Sequence, residues 1–208
     1  MLMLAIFMQI TDQSRWEELS HLAESQAGYI TAAQAKEFAL HRNTIAAQAR
    51  PGGRLEHVAR GLYRLRYYPS LPFDHVVAAW VLAGPEIAVI SHESALDLYG
   101  LSDVIPAAVN LTLPRAYRYR KPPVGVRFHF PRTPLAKGEV RRRQGLRVTT
   151  PERTIVDAIE GTTQPEQIEM AVHQALAHPL TTRQRLEQAA IRRPFTTQST
   201  LKQLLALT

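Results

Sequence analysis

The chain has 208 residues, of which 45% are hydrophobic and 21% charged, a composition typical of one or two globular domains that excludes a mostly disordered chain. It contains no cysteine, so disulfide scaffolds, thiolate metal sites and cysteine nucleophiles are excluded. The 25 Lys and Arg residues against 18 Asp and Glu give a net charge of +7, which favours a phosphate-rich partner.

The start of the chain, residues 1–10, is apolar but short. No Lys or Arg precedes it and no small-residue cleavage site follows it, so a signal peptide is not expected. We interpret it as a frayed leader, the product of an early start codon, or a strand that docks elsewhere. No segment approaches the roughly 18 consecutive apolar residues of a membrane helix. We therefore expect a soluble, cytoplasmic protein without a membrane partner.

The positive charge is concentrated in two segments. Residues 41–66 carry six arginines and one acid, and residues 114–147 carry eleven Lys or Arg and one acid. These segments have net charges of +5 and +10, so the rest of the chain carries −8. A local basic face of this kind is typical of a nucleic-acid site, although charge runs also serve simply to solvate a surface.

The first part of the chain predicts a winged helix-turn-helix over residues 1–70. Apolar spacing indicates an amphipathic helix over 15–26, and a second helix over 32–38. A third helix, 42–49, is followed by a β-hairpin over 54–67.

In this motif the third helix enters the major groove with its N-terminal residues towards the base edges. Arg can read guanine, and Asn or Gln can read adenine. The predicted DNA-binding residues on and just after the helix are Arg42, Asn43, Thr44, Gln48 and Arg50. Those on the hairpin, expected to lie along the phosphates, are Arg54, Arg60, Arg64 and Arg66. The alternative is a module for protein or RNA binding, in which the winged helix is only a scaffold.

The prolines at 69 and 72 predict a domain boundary, with a second domain over residues 71–208. The expected fold class is α+β: the winged helix followed by a small mixed α/β domain with a helical C-terminal tail. Its predicted elements are a buried helix over 73–83, strands over 87–90, 109–113, 124–130 and 146–148, and helices starting at Ser91, Thr150, 165 and 182. Thr181 is expected to cap the last of these helices. The strand over 109–113 is expected to be half-exposed, and Leu146–Val148 to pair with 124–130.

Three blocks of sequence resemble the AbiEi-type antitoxins of type IV toxin–antitoxin (abortive infection) systems. The first combines residues 28–35 with 60–65, the second covers 90–101, which reads ISHESALDLYGL, and the third covers 149–157, which reads TTPERTIVD. The resemblance spans roughly residues 25–160, with the blocks in the expected order and spacing.

The resemblance implies a winged-helix autorepressor whose second domain neutralises a co-encoded nucleotidyltransferase toxin, directly or indirectly. The implied partners are that toxin and the double-stranded DNA of the protein's own promoter, with repeated sites. Related domains also precede an endonuclease domain, for which we expect no room here. A degenerate nuclease-family member without activity is therefore a third hypothesis.

Residue patterns for catalysis or metal binding are weak. Eight histidines are present, but there is no His-Glu-x-x-His run, phosphate-cradling glycine loop or Gly-x-Ser-x-Gly elbow. His92, Glu93 and Asp97 are interpreted as the start of a helix capped by Ser91. Arg153 and Asp157 are four residues apart, which predicts an ion pair. We expect no enzyme, no metal and no cofactor.

The second basic segment interleaves tyrosines with cations, as single-strand and RNA binders do. We predict a possible second basic surface formed by Arg115, Arg118, Arg120, Lys121, Arg141, Arg142 and Arg143. Further DNA contact, contact with transfer RNA or the toxin, and protection of an edge strand by charge remain open alternatives.

Overall fold

A computed structural model of the chain describes residues 2–161 and 163–207. The fold is a mixed α and β structure with two sheets. The chain divides into two compact units, Met1–Gly84 and Pro85–Thr208. The division falls later than the boundary predicted after residue 70, because the apolar helix Asp74–Ala83 packs against the sheet of the first unit.

The first unit combines four helices with a small antiparallel sheet, within the described residues. In chain order its elements are α1 (Leu2–Ser25), β1 (Tyr29–Thr31), α2 (Ala32–Glu37), α3 (Arg42–Gln48), β2 (Leu55–Ala59), β3 (Leu62–Leu65) and α4 (Asp74–Ala83). The strand order is β1-β3-β2. The predicted hairpin is confirmed, and its turn passes through Gly61 at a φ of 76°. The three residues Tyr29–Thr31, for which no strand was predicted, form β1 and pair with β3.

The start of the chain differs from the expectation of a leader or a docking strand. The backbone is helical from Leu2, and the predicted amphipathic helix is the second half of this longer helix. The physical reason is that α1 contains neither Gly nor Pro, so nothing in the segment interrupts the helical hydrogen bonds.

Local capping and apolar spacing determine the helices that follow. The Thr31 hydroxyl accepts a hydrogen bond from the Gln34 backbone at 3.1 Å, while the Gln34 side chain accepts one from the Thr31 backbone at 2.9 Å. This reciprocal capping box fixes the start of α2. The α1, α2 and α3 helices and the sheet enclose a core that includes Trp16, Leu19 and Ile45.

The second unit is built around one mixed sheet covered by helices. In chain order its elements are β4 (Val89–Ile90), α5 (His92–Tyr99), β5 (Val109–Thr112), β6 (Val126–His129), β7 (Val140–Arg143), β8 (Leu146–Thr149), α6 (Pro151–Glu160), α7 (Pro165–Ala177), α8 (Arg183–Ala190) and α9 (Phe195–Ala206). The strand order is β6-β5-β4-β8-β7. The core includes Ile90, Leu96, Leu111, Val148 and Ile155.

Two predictions about this sheet are wrong. Strand β8 pairs with β7 and β4 rather than with the strand over 124–130, because β6 lies at the opposite edge and pairs with β5. All four residues of β5 are buried, whereas half-exposure was expected, because β5 lies between β4 and β6 and is covered by α5.

Two capping residues also differ from expectation. The Ser91 side chain makes no capping hydrogen bond to α5, because its hydroxyl accepts a hydrogen bond from Thr112 at 2.8 Å. Thr182, not its neighbour Thr181, caps α8, since the Thr181 hydroxyl donates to Glu152 at 2.6 Å. Among the described residues, no helix combines the length and the hydropathy required to cross a membrane.

Candidate functional site

Helix α3 presents its first residues to solvent. Arg42 and Asn43 are exposed, Thr44 is half-buried, and Ile45 faces the core with 1% of its surface exposed. Gln48 is partly engaged within the protein, since its side-chain oxygen accepts a hydrogen bond from the Arg54 backbone at 3.1 Å. Of the four predicted base-reading residues, Arg42 and Asn43 are therefore the most accessible.

Three of the other arginines predicted to bind DNA are exposed. Arg50 follows α3, Arg54 precedes β2, and Arg60 lies in the turn of the hairpin. The Arg54 guanidinium lies over the Trp16 ring, 5.7 Å from its centroid, which restrains the direction of this side chain. We define the α3–hairpin surface as Arg42, Asn43, Arg50, Arg54 and Arg60.

Arg64 does not belong to this surface, contrary to the prediction. Its side chain is 12% exposed, and its Nη2 atom lies 3.1 Å from the Asp74 carboxylate. The same nitrogen donates to the Pro69 carbonyl at 2.7 Å, and the guanidinium lies over the Tyr29 ring. Arg64 therefore joins β3 to the start of α4. Its acidic partner lies ten residues away along the chain, and no spacing rule identifies such a pair.

Arg66 is also directed into the protein rather than towards a phosphate. Its Nε donates to the Gly53 carbonyl at 2.6 Å, and its Nη2 donates to the Leu55 and Arg50 carbonyls at 2.6 and 3.0 Å. The Arg50 and Gly53 carbonyls belong to the loop between α3 and β2, and Leu55 is the first residue of β2. Arg66 thus fixes the loop on which Arg50 and Arg54 stand, and its role is to position that surface.

The tyrosine-containing part of the second basic surface is an exposed loop. We define the basic loop as residues 115–121, which begins with a single 3₁₀ turn and is exposed throughout. The Arg118 guanidinium stacks on the Tyr119 ring at 4.3 Å, and Tyr119 is 82% exposed. Arg115 and Lys121 are exposed as well, while the Arg120 guanidinium lies near the Phe128 ring. A stacked aromatic ring and a cation on an exposed loop can contact either bases or an acidic protein surface.

The three arginines of β7 divide into two groups. The Arg141 Nε donates to the Tyr99 hydroxyl at 2.7 Å, and the Arg143 Nε donates to the Leu98 carbonyl at 2.9 Å. Both guanidinium groups lie over the Tyr99 ring. Only Arg142 is exposed. Because β7 is an edge strand, these contacts agree with the alternative that charge protects the edge from pairing with another chain.

The predicted ion pair on α6 is confirmed. The Arg153 Nε lies 2.7 Å from the Asp157 Oδ1, and the Arg153 Nη1 lies 2.9 Å from the Glu139 Oε1. Within the described part of the chain, the other carboxylate oxygen of Asp157 is buried without a hydrogen-bond partner. Burial raises the pKa of Asp157 to about 6, although the nearby Arg153 guanidinium acts in the opposite direction.

His92 forms a stacked pair with a second histidine that the sequence did not indicate. The His92 and His129 rings lie 3.6 Å apart at 17°. The His92 Nδ1 lies 3.0 Å from the Ser91 hydroxyl, and the His129 Nε2 lies 2.8 Å from the Asn110 side-chain oxygen. Burial lowers the pKa of His92 to about 3, with a further contribution from His129. Burial and the Arg127 charge lower the pKa of His129 to about 4.

Glu93 and Asp97, the two acids of α5, are half-buried. Glu93 accepts a hydrogen bond from the Thr163 hydroxyl at 3.2 Å. Within residues 2–161 and 163–207, no three His, Asp or Glu side chains are arranged to hold a metal ion.

Comparisons with known proteins identify the second unit. The family model of the AbiEi antitoxin C-terminal domain matches residues 87–207. The crystal structure of the RV2827C protein from Mycobacterium tuberculosis is similar, with a TM-score of 0.55 and 19% sequence identity over 90% of this chain and 74% of that chain. At this identity the likeness concerns the fold alone. No curated protein matches the chain.

The role of Arg66 can be tested through stability. Replacing Arg66 by Met keeps most of the apolar stem but removes the hydrogen bonds to three carbonyls. We expect the free energy of unfolding to fall by about 1.5–3 kcal/mol. Urea denaturation followed by tryptophan fluorescence measures it, because both tryptophans lie in the first unit. Arg50→Met, at an exposed side chain, is the matched control. Equal stability of the two variants would exclude the positioning role.

The stacked histidines predict a pH-dependent stability. The native pKa of His92 lies below its usual value, so the unfolded chain binds a proton that the native protein excludes, and stability falls as the pH drops below about 6.5. His92 has a φ of 51°, which Asn tolerates, so His92→Asn is a suitable variant. Between pH 7.5 and pH 5 this variant should lose about 2 kcal/mol less stability than the wild type.

Denaturation curves at several pH values, recorded by far-UV circular dichroism, provide the comparison. The raised pKa of Asp157 acts in the opposite direction, but it is present in both proteins and cancels to first order. His173→Asn, at an exposed histidine of α7, is the control and should follow the wild type. A His92→Asn variant with the wild-type pH dependence would contradict the prediction.

Proposed function

Because this chain belongs to the AbiEi antitoxin family, and is therefore an antitoxin of a toxin–antitoxin system, we propose that its first unit binds and represses its own promoter. The single observation that carries this proposal is the α3–hairpin surface. It combines an exposed helix start with arginines on the following loop and on the hairpin turn. The proposed architecture is a winged helix-turn-helix, with α3 as the recognition helix.

The residues at the start of α3 suit base recognition. A recognition helix reads the major groove chiefly through its N-terminal residues. Arg42 offers a bidentate donor for guanine, and Asn43 offers the donor and acceptor pair that adenine requires. Both side chains are exposed, and the buried Ile45 anchors the opposite face of the helix.

Fewer arginines are available to contact phosphate than the sequence predicts. Arg50, Arg54 and Arg60 are exposed and keep their charge at the surface. Arg64 and Arg66 instead hold the hairpin and its preceding loop in place. In this proposal Arg50, Arg54 and Arg60 neutralise phosphates, whereas Arg64 and Arg66 hold in place the hairpin and loop that carry these three arginines.

We further propose that the second unit neutralises a co-encoded nucleotidyltransferase toxin, directly or indirectly. The family match falls on this unit, and the resemblance of the sequence blocks points to the same toxin class. The basic loop is the proposed contact for this activity, because it is exposed and carries an accessible tyrosine. The protein would act as a regulator without catalysis, in the cytoplasm. An RNA- or protein-binding module without antitoxin activity is the alternative that the experiments below address.

Promoter binding can be tested by titrating the DNA upstream of the reading frame at several salt concentrations. Arg42→Ala should cost about 1–3 kcal/mol on the promoter and much less on scrambled DNA. Arg60→Gln should weaken binding to both DNAs and lower the slope of log affinity against log salt by about 1. Lys202→Gln, which removes one charge from an exposed position on α9, should change neither quantity.

Arg64→Met distinguishes the arginines proposed to contact phosphate from those that hold the hairpin in place. It should leave the salt slope unchanged, because the Arg64 guanidinium is bound to Asp74 and Pro69. A salt slope reduced equally by Arg60→Gln and Arg64→Met would show that the hairpin does not bind phosphate in the way proposed. Absence of promoter preference would favour the scaffold alternative.

Neutralisation can be tested separately by inducing the toxin from an unrelated promoter. The double variant Arg42→Ala/Arg60→Gln should protect cells as the wild type does, since repression is not needed in that assay. Arg118→Glu/Lys121→Glu should reduce survival, because it reverses the charge of the basic loop, yet leave promoter repression intact. Lys202→Glu is the control. A basic-loop variant that loses repression but retains protection would assign this loop to DNA binding instead.

A further inference from the structure

A polar cavity lies within the second unit and is separate from both proposed surfaces. Its volume is about 580 Å³. It is bordered by the start of α5, by strands β5 and β6, by α6 and by the segment before α9. This volume lies within the range of about 300–1,000 Å³ that is typical of small-molecule sites. The antitoxin function proposed above does not use this cavity.

The cavity is lined by an excess of cations. Five arginines line it, against the three acids Glu93, Asp157 and Glu160. Two of the arginines are paired within the protein: Arg153 binds Asp157, and Arg193 lies 3.4 Å from Glu160. The remaining three, Arg127, Arg132 and Arg192, are exposed, and their side chains have no ion pair or hydrogen bond with other described residues. Three unpaired guanidinium groups around one cavity favour an anion, and planar guanidinium groups suit phosphate oxygens.

The cavity also contains an acceptor without a donor. Asp157 is 3% exposed, and only its Oδ1 atom is bound by Arg153. Its Oδ2 atom is buried and has no hydrogen-bond partner among the residues that the structure describes. Buried polar atoms in native proteins are nearly always paired, with protein groups or with water, so this acceptor leaves room for a donor that the described residues do not supply. A bare phosphate ion at neutral pH is mainly an acceptor, whereas a hydroxyl or amino group supplies such a donor.

The histidine pair forms another part of the wall. His92 and His129 are stacked, and their other contacts are with Ser91 and Asn110. His92 adopts a φ of 51°, a conformation that costs energy in a residue other than glycine. Backbone strain of this kind concentrates at ligand sites, and here it falls on a residue that lines the cavity.

We propose that this cavity binds a small phosphate ester that also carries hydroxyl or amino donors, the chemistry of nucleotides and sugar phosphates. The phosphate would lie among Arg127, Arg132 and Arg192, and a donor of the ligand would reach Asp157. The three arginines without an acidic partner supply the charge, and the second carboxylate oxygen of Asp157 distinguishes the ester from a bare ion.

Isothermal titration calorimetry of the full chain tests this assignment. The probes are the four nucleoside 5′-monophosphates, adenosine triphosphate, ribose 5-phosphate and inorganic phosphate. We expect at least one ester to bind more tightly than inorganic phosphate, and the nucleotide and ribose 5-phosphate probes distinguish the two sources of the ester. The double variant Arg132→Gln/Arg192→Gln should raise the dissociation constant about tenfold or more. These side chains are exposed and unpaired, so the circular dichroism spectrum should stay that of the wild type.

Two controls complete the test. Lys202→Gln, outside the cavity, should bind the ester as the wild type does. In proton NMR spectra, the ester should shift the ring resonances of His92 and His129, assigned by replacing each histidine in turn, and leave those of the exposed His173 in place. The proposal is overturned if no ester binds, if inorganic phosphate binds as tightly as every ester, or if the arginine double variant retains wild-type affinity. Each result is independent of the promoter and survival assays.

Discussion

The second unit depends on the buried guanidinium of Arg153. A charge removed from water is tolerated only where partners surround it, and Arg153 has the carboxylates of Asp157 and Glu139 within 2.9 Å. Asp157 belongs to the same helix, but Glu139 immediately precedes the edge strand β7. The ion pairs therefore fix α6 relative to the edge of the sheet. They also leave one Asp157 oxygen without a partner among the described residues, and Asp157 lines the cavity between α6, α5 and β6.

A similar use of arginine organises the first unit. Arg64 and Arg66 lie in the basic segment whose charge suggested a nucleic-acid partner, yet their guanidinium groups bind Asp74 and backbone carbonyls. Arg66 determines where the loop between α3 and β2 lies, and this loop carries Arg50 and Arg54. The charge of the segment thus has two functions: some arginines build the surface, and others are displayed on it. Counting charges along the sequence does not separate the two groups, because the count does not say whether a side chain points into the protein or into solvent.

The features that the sequence predicted correctly are those set by neighbours along the chain. The helix predicted from residue 32 does start there, where Thr31 and Gln34 cap it, and the ion pair of α6 follows from a spacing of four. The family resemblance, and with it the antitoxin assignment, rested on short continuous blocks and is borne out over residues 87–207. Features that depend on distant residues were missed. Strand β8 is placed by its pairing with β4, which lies nearly 60 residues earlier. The Tyr29–Thr31 strand is defined by β3, and its own three residues carry too little pattern to identify it.

The cavity shows why sites are harder to predict than elements. His92 was noticed in the sequence, but its partner His129 is far along the chain, at the end of β6. Strand β5 pairs with both β6 and β4, and β4 leads into α5, which starts at His92. The sheet order therefore brings the two rings together. The pairing of Asp157 with Arg153 was correctly predicted, and it suggested that both carboxylate oxygens of Asp157 are bound. The pair satisfies only one of its two oxygens, and this becomes visible only when the burial of each atom is known. A predicted ion pair therefore identifies what a residue binds within the fold, whereas the atom left over indicates what it can bind from outside.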